Sequence, residues 1–419
     1  MLPVLYTYFE KWKPKVPALV VLPIALLLST GAKAQQISME TAVETALRNN
    51  PGIKSSNLQI SREQTLKGTA ADIGKTNVGV QYGQFNSIRN DNNINISQSI
   101  PYPGVFRNRS QLSDARIEGA KKNLAADKNE LTYQVRSAYG QLSYFFALQT
   151  LYQQQDSIFG SFQKAAGLRY QTGESNLLEA TTAETQYNEV RNQMEKNRAD
   201  IRAYTAELQR LLNTSEALSP DPDFVAEVYL PDSATLTNPL IALQKQQVAI
   251  ADKTVRLERS LSGPDFTLGY FNQSLIGTQN VNGTDVYYGG GKRFQGVQAG
   301  IALPIFFKPF SSRIKAATID KQVAETQLNL SEVNLKGAFS TAYQELLKNM
   351  RSMQYYEKNA LPNAALLLKQ AQVAFQNGEI GYVEYLQSLR TSSDLRFGYL
   401  QSINQYNQSV YRLKYLAGL

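Results

Sequence analysis

The chemistry open to this chain is narrow, because its 419 residues contain neither histidine nor cysteine. Histidine is the commonest general base and the commonest transition-metal ligand. Without cysteine there can be no disulfide, thiol nucleophile, thiolate metal site or lipobox acylation. A Ser-His-Asp triad, a zinc hydrolase centre and a histidine-held haem are excluded. Carboxylates, lysines, tyrosines and serines remain, but no recognisable motif sets two acids up as a catalytic pair. The chain therefore reads as a non-enzyme with no cofactor. Met350 and Met353, spaced i and i+3, fit core filling better than a soft-metal pair. The stretch Ser274–Arg293, with Tyr287-Tyr288-Gly289-Gly290-Gly291, lacks the lysine placement of a phosphate-binding loop and is expected to be a flexible external loop.

Two glycine-centred segments carry the acids that stand out. Tyr170-Gln171-Thr172-Gly173-Glu174 runs on to Glu179, and Phe375-Gln376-Asn377-Gly378-Glu379 runs on to Glu384. Reversing a helical hairpin in a few residues calls for positive φ, which glycine adopts without steric cost. Gly173 and Gly378 are therefore expected to be hairpin tips.

These segments belong to a longer correspondence between the two halves of the chain. Asn50-Pro51 matches Asn238-Pro239, and Ser99-Ile100-Pro101 matches Ala302-Leu303-Pro304. Leu131, Val135, Ala138 and Leu142 match Leu335, Phe339, Ala342 and Leu346 at an offset of 204, and Tyr170–Glu174 matches Phe375–Glu379 at 205. Matches in one order with so little drift indicate a duplication. The units are read as 35–213 and 236–419. The Pro-rich stretch 214–235 is a connector, in which Asp223–Leu230 is expected to form a short strand.

Each half reads helix, strand, strand, long helix, helix. Met39–Ala70 is helical in composition. Val78, Val80 and Tyr82, then Ile94, Ile96 and Ile100, alternate with small uncharged residues, as do Phe266, Leu268 and Tyr270 and then Val297, Ala299 and Ile301. Gly104 to Gln171 has no proline, and its apolar steps of four and three form a coiled-coil seam. Ser175–Asn213 is a second helix. Phe310–Gln376, broken only at Pro362, and Gly381–Ala417 repeat the pair. The two shorter helices are expected to stack end to end beside the long one.

The N-terminus reads as an export signal over residues 1–34. Lys11-Trp12-Lys13-Pro14-Lys15 is basic, Val16–Leu28 is apolar but holds Pro17 and Pro23, and Ala32-Lys33-Ala34 places cleavage before Gln35. The formal charge is +8, of which Lys11, Lys13, Lys15, Lys33 and Glu10 account for +3. The remaining Lys and Arg are scattered, so nucleic acid is not an expected partner. No later run is long and apolar enough for a membrane helix, and a membrane-spanning form would have to use strands. Four strands leave two open edges, which lipid does not tolerate. Several copies must then close a barrel. Two would give eight strands around a filled interior, and three would give twelve around an open one.

The signal, the strand–strand–long-helix units and the acidic glycine tips together resemble the TolC-like outer-membrane efflux factors over essentially all of residues 36–419. The corners Ile100-Pro101-Tyr102-Pro103-Gly104 and Leu303-Pro304 also fit, the first being more similar to the branch serving metal-efflux pumps. The resemblance implies an α+β membrane protein. Three protomers would share a twelve-stranded barrel in the outer membrane, continued by a helical coiled-coil barrel through the periplasm. It implies passive export of substrates, metal cations among them. An inner-membrane pump of the RND type would deliver them through a periplasmic adaptor, a membrane fusion protein. The barrel's surroundings would be outer-membrane lipid. A periplasmic coiled-coil scaffold that forms no channel is the alternative reading.

The same resemblance assigns residues. Glu384 occupies the position of an acidic ring that narrows the periplasmic mouth, and Glu179 is its partner on the first hairpin. The second acidic position is Gln387, and the position where the family can carry a locking arginine is Ile380. Apolar packing by Ile380 and Tyr382 is expected to hold the tips shut instead. Gly173, Glu174, Gly378 and Glu379 are the expected tip and adaptor contacts.

Overall fold

The computed structural model of the protein describes residues 35–228 and 237–419. The export signal, 1–34, and residues 229–236 of the connector lie outside the described residues. The first half opens with strand β1 (Gln35–Ile37), helix α1 (Met39–Asn49), helix α2 (Pro51–Leu66) and a 3-10 turn over Lys67–Ala71. Strands β2 (Asn77–Gly83) and β3 (Asp91–Ile100) precede the 69-residue α3 (Pro103–Gln171), then α4 (Leu177–Leu212) and β4 (Leu218–Pro220). The second half runs α5 (Pro239–Leu261), β5 (Asp265–Gln273), β6 (Gly277–Val281), β7 (Thr284–Tyr288) and β8 (Phe294–Ala302). It ends with α6 (Lys308–Tyr355), a π turn over Tyr356–Ala360, α7 (Leu361–Gln376) and α8 (Tyr382–Ala417). At about 1.5 Å per residue α3 is a rod of roughly 100 Å. Among the described residues no helix is long and apolar enough to cross a membrane.

The seam read from the sequence is the core. Leu131, Val135, Ala138 and Leu142 of α3 are buried against Ala42 and Ala46 of α1 and Leu208, Leu211 and Leu212 of α4. Ala342 and Leu346 of α6 make the corresponding layer with Tyr406, Val410, Leu413 and Leu416 of α8, and Met350 and Met353 pack against it.

Met39–Ala70 is not one helix. Pro51 cannot continue α1, and Asn50 turns extended at φ −65° and ψ 126° to restart the chain. Its side chain closes two helix ends together. Oδ1 accepts the Gly52 N–H at 2.8 Å, and Nδ2 donates to the Leu211 carbonyl at the end of α4 at 3.0 Å. Asn238 does the same, accepting from Leu240 at 2.8 Å and donating to the Leu416 carbonyl at 3.1 Å. The Asn-Pro pairs are thus the joints at which the shorter helices stack end to end along the long ones.

The connector also differs from expectation. Asp223–Val228 forms no strand, and its backbone is gripped by a side chain instead. Asn407 accepts from the Glu227 N–H at 2.8 Å and donates to the Val225 carbonyl at 2.9 Å. The strand lies earlier. β4 pairs in parallel with β1, and the Tyr139 hydroxyl donates to the Ile37 carbonyl at 2.9 Å while accepting from the Asp221 N–H at 3.0 Å.

Strands β2, β3, β5 and β8 form one antiparallel sheet in that order. Opposite residues share a face, and the register sets Val80 against Ile94, Ile96 against Tyr270, and Tyr270 against Val297. The apolar set therefore lies on one face, while Gly79, Asn95, Gly269 and Gln298 lie on the other. The helices attached to these strands keep the same lateral order: α2 packs on α3, α3 on α5 and α5 on α6.

The segment expected as a flexible loop holds the hairpin β6–β7. Asn282 and Gly283 take φ of 53° and 85° at its two-residue turn, the conformation that Asn-Gly favours between strands. Asp91, fully buried, fixes its base by accepting from Ser274 Oγ at 3.0 Å and the Ile276 N–H at 2.8 Å.

Candidate functional site at the hairpin tips

The two glycine segments end α3 and α7 in the same way. Gly173 and Gly378 have φ of 77° and 74°. In the first tip the Glu174 N–H bonds the Arg169 carbonyl at 2.8 Å and the Gly173 N–H bonds Tyr170 at 3.1 Å. In the second, Glu379 bonds Ala374 at 2.8 Å and Gly378 bonds Phe375 at 3.1 Å. Both are Schellman ends, which satisfy carbonyls that a helix terminus leaves free.

The two candidate gate acids occupy equivalent places. Glu179 and Glu384 are each the third residue of the helix that leaves the tip. Glu384 Oε2 accepts the Gly381 N–H at 3.1 Å, and Glu179 accepts from the Ser175 hydroxyl. The Glu179 N–H is in turn capped by Asn176 Oδ1 at 3.0 Å. Both carboxylates thus steady a helix start, where negative charge is favoured. Glu384, Gln387, Glu174 and Glu379 are exposed, and Glu179 and Ile380 are half-buried.

Tyr382 is placed differently from the two candidate acids. It is 5% exposed, within a cluster of Phe159 and Ala166 from α3, Ala183 and Val190 from α4, and Leu386 and Leu389 from α8. Phe162 of α3 is the hub, with ring centroids 4.9 Å from Tyr382, 5.1 Å from Tyr385 and 6.0 Å from Phe375. Phe375 and Tyr385 stack at 4.7 Å. Tyr382 thus binds one hairpin to the other inside a single chain, whereas Ile380 lies outside this cluster. Burial, with the negative charge of Glu179 behind it, pushes the Tyr382 hydroxyl up to about 12. That hydroxyl is buried without a hydrogen-bond partner.

The sequence reading missed Phe162 and Tyr385. Their signal was present as aromatics facing the tips, but only folding brings α3 and α8 together. It also missed two matched pairs of exposed apolar residues flanking the tips, Leu168 with Leu178 and Val373 with Val383. Among the described residues no cluster of acids could hold a metal ion.

The sequence matches the model of the outer membrane efflux protein family over residues 42–214 and 230–419. The chain belongs to this family. A sequence comparison with curated proteins finds no match. Among solved structures, this efflux protein is similar to the CusC channel, with 16% identity, a TM-score of 0.74, and coverage of 90% of this chain and 91% of that one. It is similar to OprN at 14% identity and a TM-score of 0.75, covering 91% and 89%. It is also similar to the open-state MtrE channel of Neisseria gonorrhoeae at 15% and 0.73, covering 91% and 88%. At these identities the likeness is one of fold, that of the TolC-like channels.

Proposed function

We propose that three copies of this efflux protein close a twelve-stranded barrel in the outer membrane, continued by a helical barrel that crosses the periplasm. The duct carries no energy source of its own and passes substrates delivered by an inner-membrane pump of the RND type through a periplasmic adaptor. The observation that carries the reading is the coincidence of open edges. The sheet ends at β2 and β8, and the helical layer ends at α2 and α6 on the same two sides. Ile319, Val323, Leu330 and Val333 form an exposed apolar stripe on α6, and Leu58 is exposed on α2. A head-to-tail ring pairs all of these edges at once. The sheet's apolar face, with Val80 71% exposed, supports lipid around it. This exposed face disfavours the soluble scaffold.

Two tandem units, 35–213 and 236–419 with the connector 214–235, are supported by the matched Asn-Pro joints and Schellman tips. Export with cleavage before Gln35 completes the reading. At the tips the exposed pairs Leu168–Leu178 and Val373–Val383, beside Glu174 and Glu379, are the surface offered to the adaptor. A ring of Glu384 carboxylates around the axis concentrates negative potential at the mouth and favours cations. Metal cations as cargo follow from the resemblance to the metal-efflux branch. Met350 and Met353 serve packing and take no part in selection.

The test is a planar-bilayer measurement on the purified protein. Detergent-resistant trimers with cation-selective conductance are expected. Glu384→Gln, which retains an acceptor for the Gly381 N–H, is expected to lose selectivity while keeping stability. A monomer that needs no detergent overturns the duct, and unchanged selectivity in Glu384→Gln overturns the ring.

A further inference from the structure

The four corners that join the sheet to the helices are segments 72–76, 103–110, 256–265 and 305–315. They hold eight Lys and Arg against three acids, a net charge of +5. With the export signal set aside, the whole chain carries +5, so the remainder is neutral and the charge is concentrated in this one layer. The opposite rim of the sheet, segments 84–91 and 274–293, has three cations against two acids. The asymmetry is therefore between the two ends of the sheet.

The corners are locked at one level. Arg109 of α3 donates to the Asp72 carbonyl at 2.8 Å, and Asn108 donates to the Arg256 carbonyl of α5 at 3.3 Å. Asp265 and Ala302 are paired across β5 and β8, which sets the fourth corner beside the third. Around this frame Lys75, Arg107, Arg259, Lys308, Arg313 and Lys315 are exposed and form no ion pair among the described residues. Cations free of partners within the chain are open to a partner outside it.

The apolar face of the sheet runs into the same layer. Leu303 continues the alternation of Val297, Ala299 and Ile301, and Ile305 and Phe306 beyond it are each 84% exposed. Lys308 stands two residues further on. Apolar side chains followed at once by cations match a bilayer surface, where acyl chains give way to headgroups. A net positive layer additionally attracts anionic lipid, whose headgroups lie within a Debye length of it.

We propose that these corners form a binding belt for anionic phospholipid of the leaflet that faces the helices. Lys308, Arg313 and Lys315 hold the lipid phosphates while Ile305 and Phe306 enter the acyl layer above them. The belt rests on the duct reading for its place in a membrane, and adds to it a preference for one lipid charge.

Trp12, in the export signal, is the only tryptophan of the chain, so Phe306→Trp supplies a single reporter in the exported protein. It is reconstituted in vesicles of equal phosphatidylcholine and phosphatidylglycerol, with one or the other lipid brominated to quench the indole. Quenching is expected to show phosphatidylglycerol enriched about threefold at the corner. The ratio is expected to fall to about one when Lys308→Gln, Arg313→Gln and Lys315→Gln are combined, and in half-molar salt, where the Debye length is about 4 Å. Equal quenching by the two lipids overturns the belt, as does a ratio that the triple substitution leaves unmoved. Quenching by neither lipid also overturns it, and would mean that another copy of the chain covers the corner. Conductance is read in the same vesicles. A conducting protein without lipid preference loses the belt and keeps the duct, whereas a lipid preference without conductance keeps the belt and loses the duct.

Discussion

The ring of Phe162 lies 4.9 Å from the ring of Tyr382, which joins the long helix of the first half to the tip helix of the second. The contact is apolar at its centre, and the Tyr382 hydroxyl at its edge has no partner. An unpaired buried hydroxyl costs free energy that a phenyl ring does not. Tyr382→Phe is therefore expected to raise stability by about 1 kcal/mol, and Tyr382→Ala to lower it by about 3 kcal/mol through the cavity left behind. Thermal unfolding followed by circular dichroism distinguishes these, and a destabilised Tyr382→Phe would count against a dry contact.

Alkaline pH should act on this hydroxyl and on two further tyrosines in other parts of the core. Burial raises the hydroxyls of Tyr144, Tyr382 and Tyr415 to about 12. The folded state then holds the proton more tightly than the unfolded chain, whose tyrosines ionise near 10. Their contribution is intact below pH of about 10 and is lost as pH rises toward about 12. Denaturant midpoints measured across that window should fall steadily. Tyrosinate absorbance should appear late for a fraction of the tyrosines.

The tip glycines are required by backbone conformation rather than by space. Nothing lies within 4 Å of a β-carbon built at Gly173 or Gly378, yet both have positive φ. Gly378→Ala should cost about 1 kcal/mol, and Gly378→Asn, which tolerates this region, distinctly less. Equal losses in the two variants would assign the cost to something other than φ.

Asn407 should be the clamp of the connector. Its amide makes two bonds to the backbone of Val225 and Glu227, and Glu227 in turn lies 3.2 Å from Lys414 Nζ. Asn407→Ala leaves those backbone groups unpaired, at a cost of about 2 kcal/mol. Limited proteolysis should then cut near Val225 well before the parent is cut. An unchanged cleavage pattern would show that Lys414 and the parallel pairing of β1 and β4 suffice.

Much of this was legible in one dimension. The seam Leu131–Leu142, the alternation in the four strands and the two glycine tips announce themselves because each depends on spacing within a single element. The Asn282-Gly283 turn was equally legible and was passed over for the glycines around it. The Asn50 and Asn238 joints were not, since the carbonyls they close belong to helices more than 160 residues away. The expected strand at Asp223–Leu230 failed for a related reason. Its described backbone finds its partners in the Asn407 side chain, and a sequence pattern cannot weigh a side-chain clamp against a ladder.

By itself the sequence determined the family, the order of elements, the apolar periodicities and the placement of acids three residues into each tip helix, all properties carried by neighbours along the chain. Tertiary structure alone decided that Tyr382 is buried while Glu384 is not, and that Asn407 holds the connector. Each of those outcomes depends on which helix faces which. That is set by packing across hundreds of residues, where the gain from a well-filled contact exceeds any local preference of the chain.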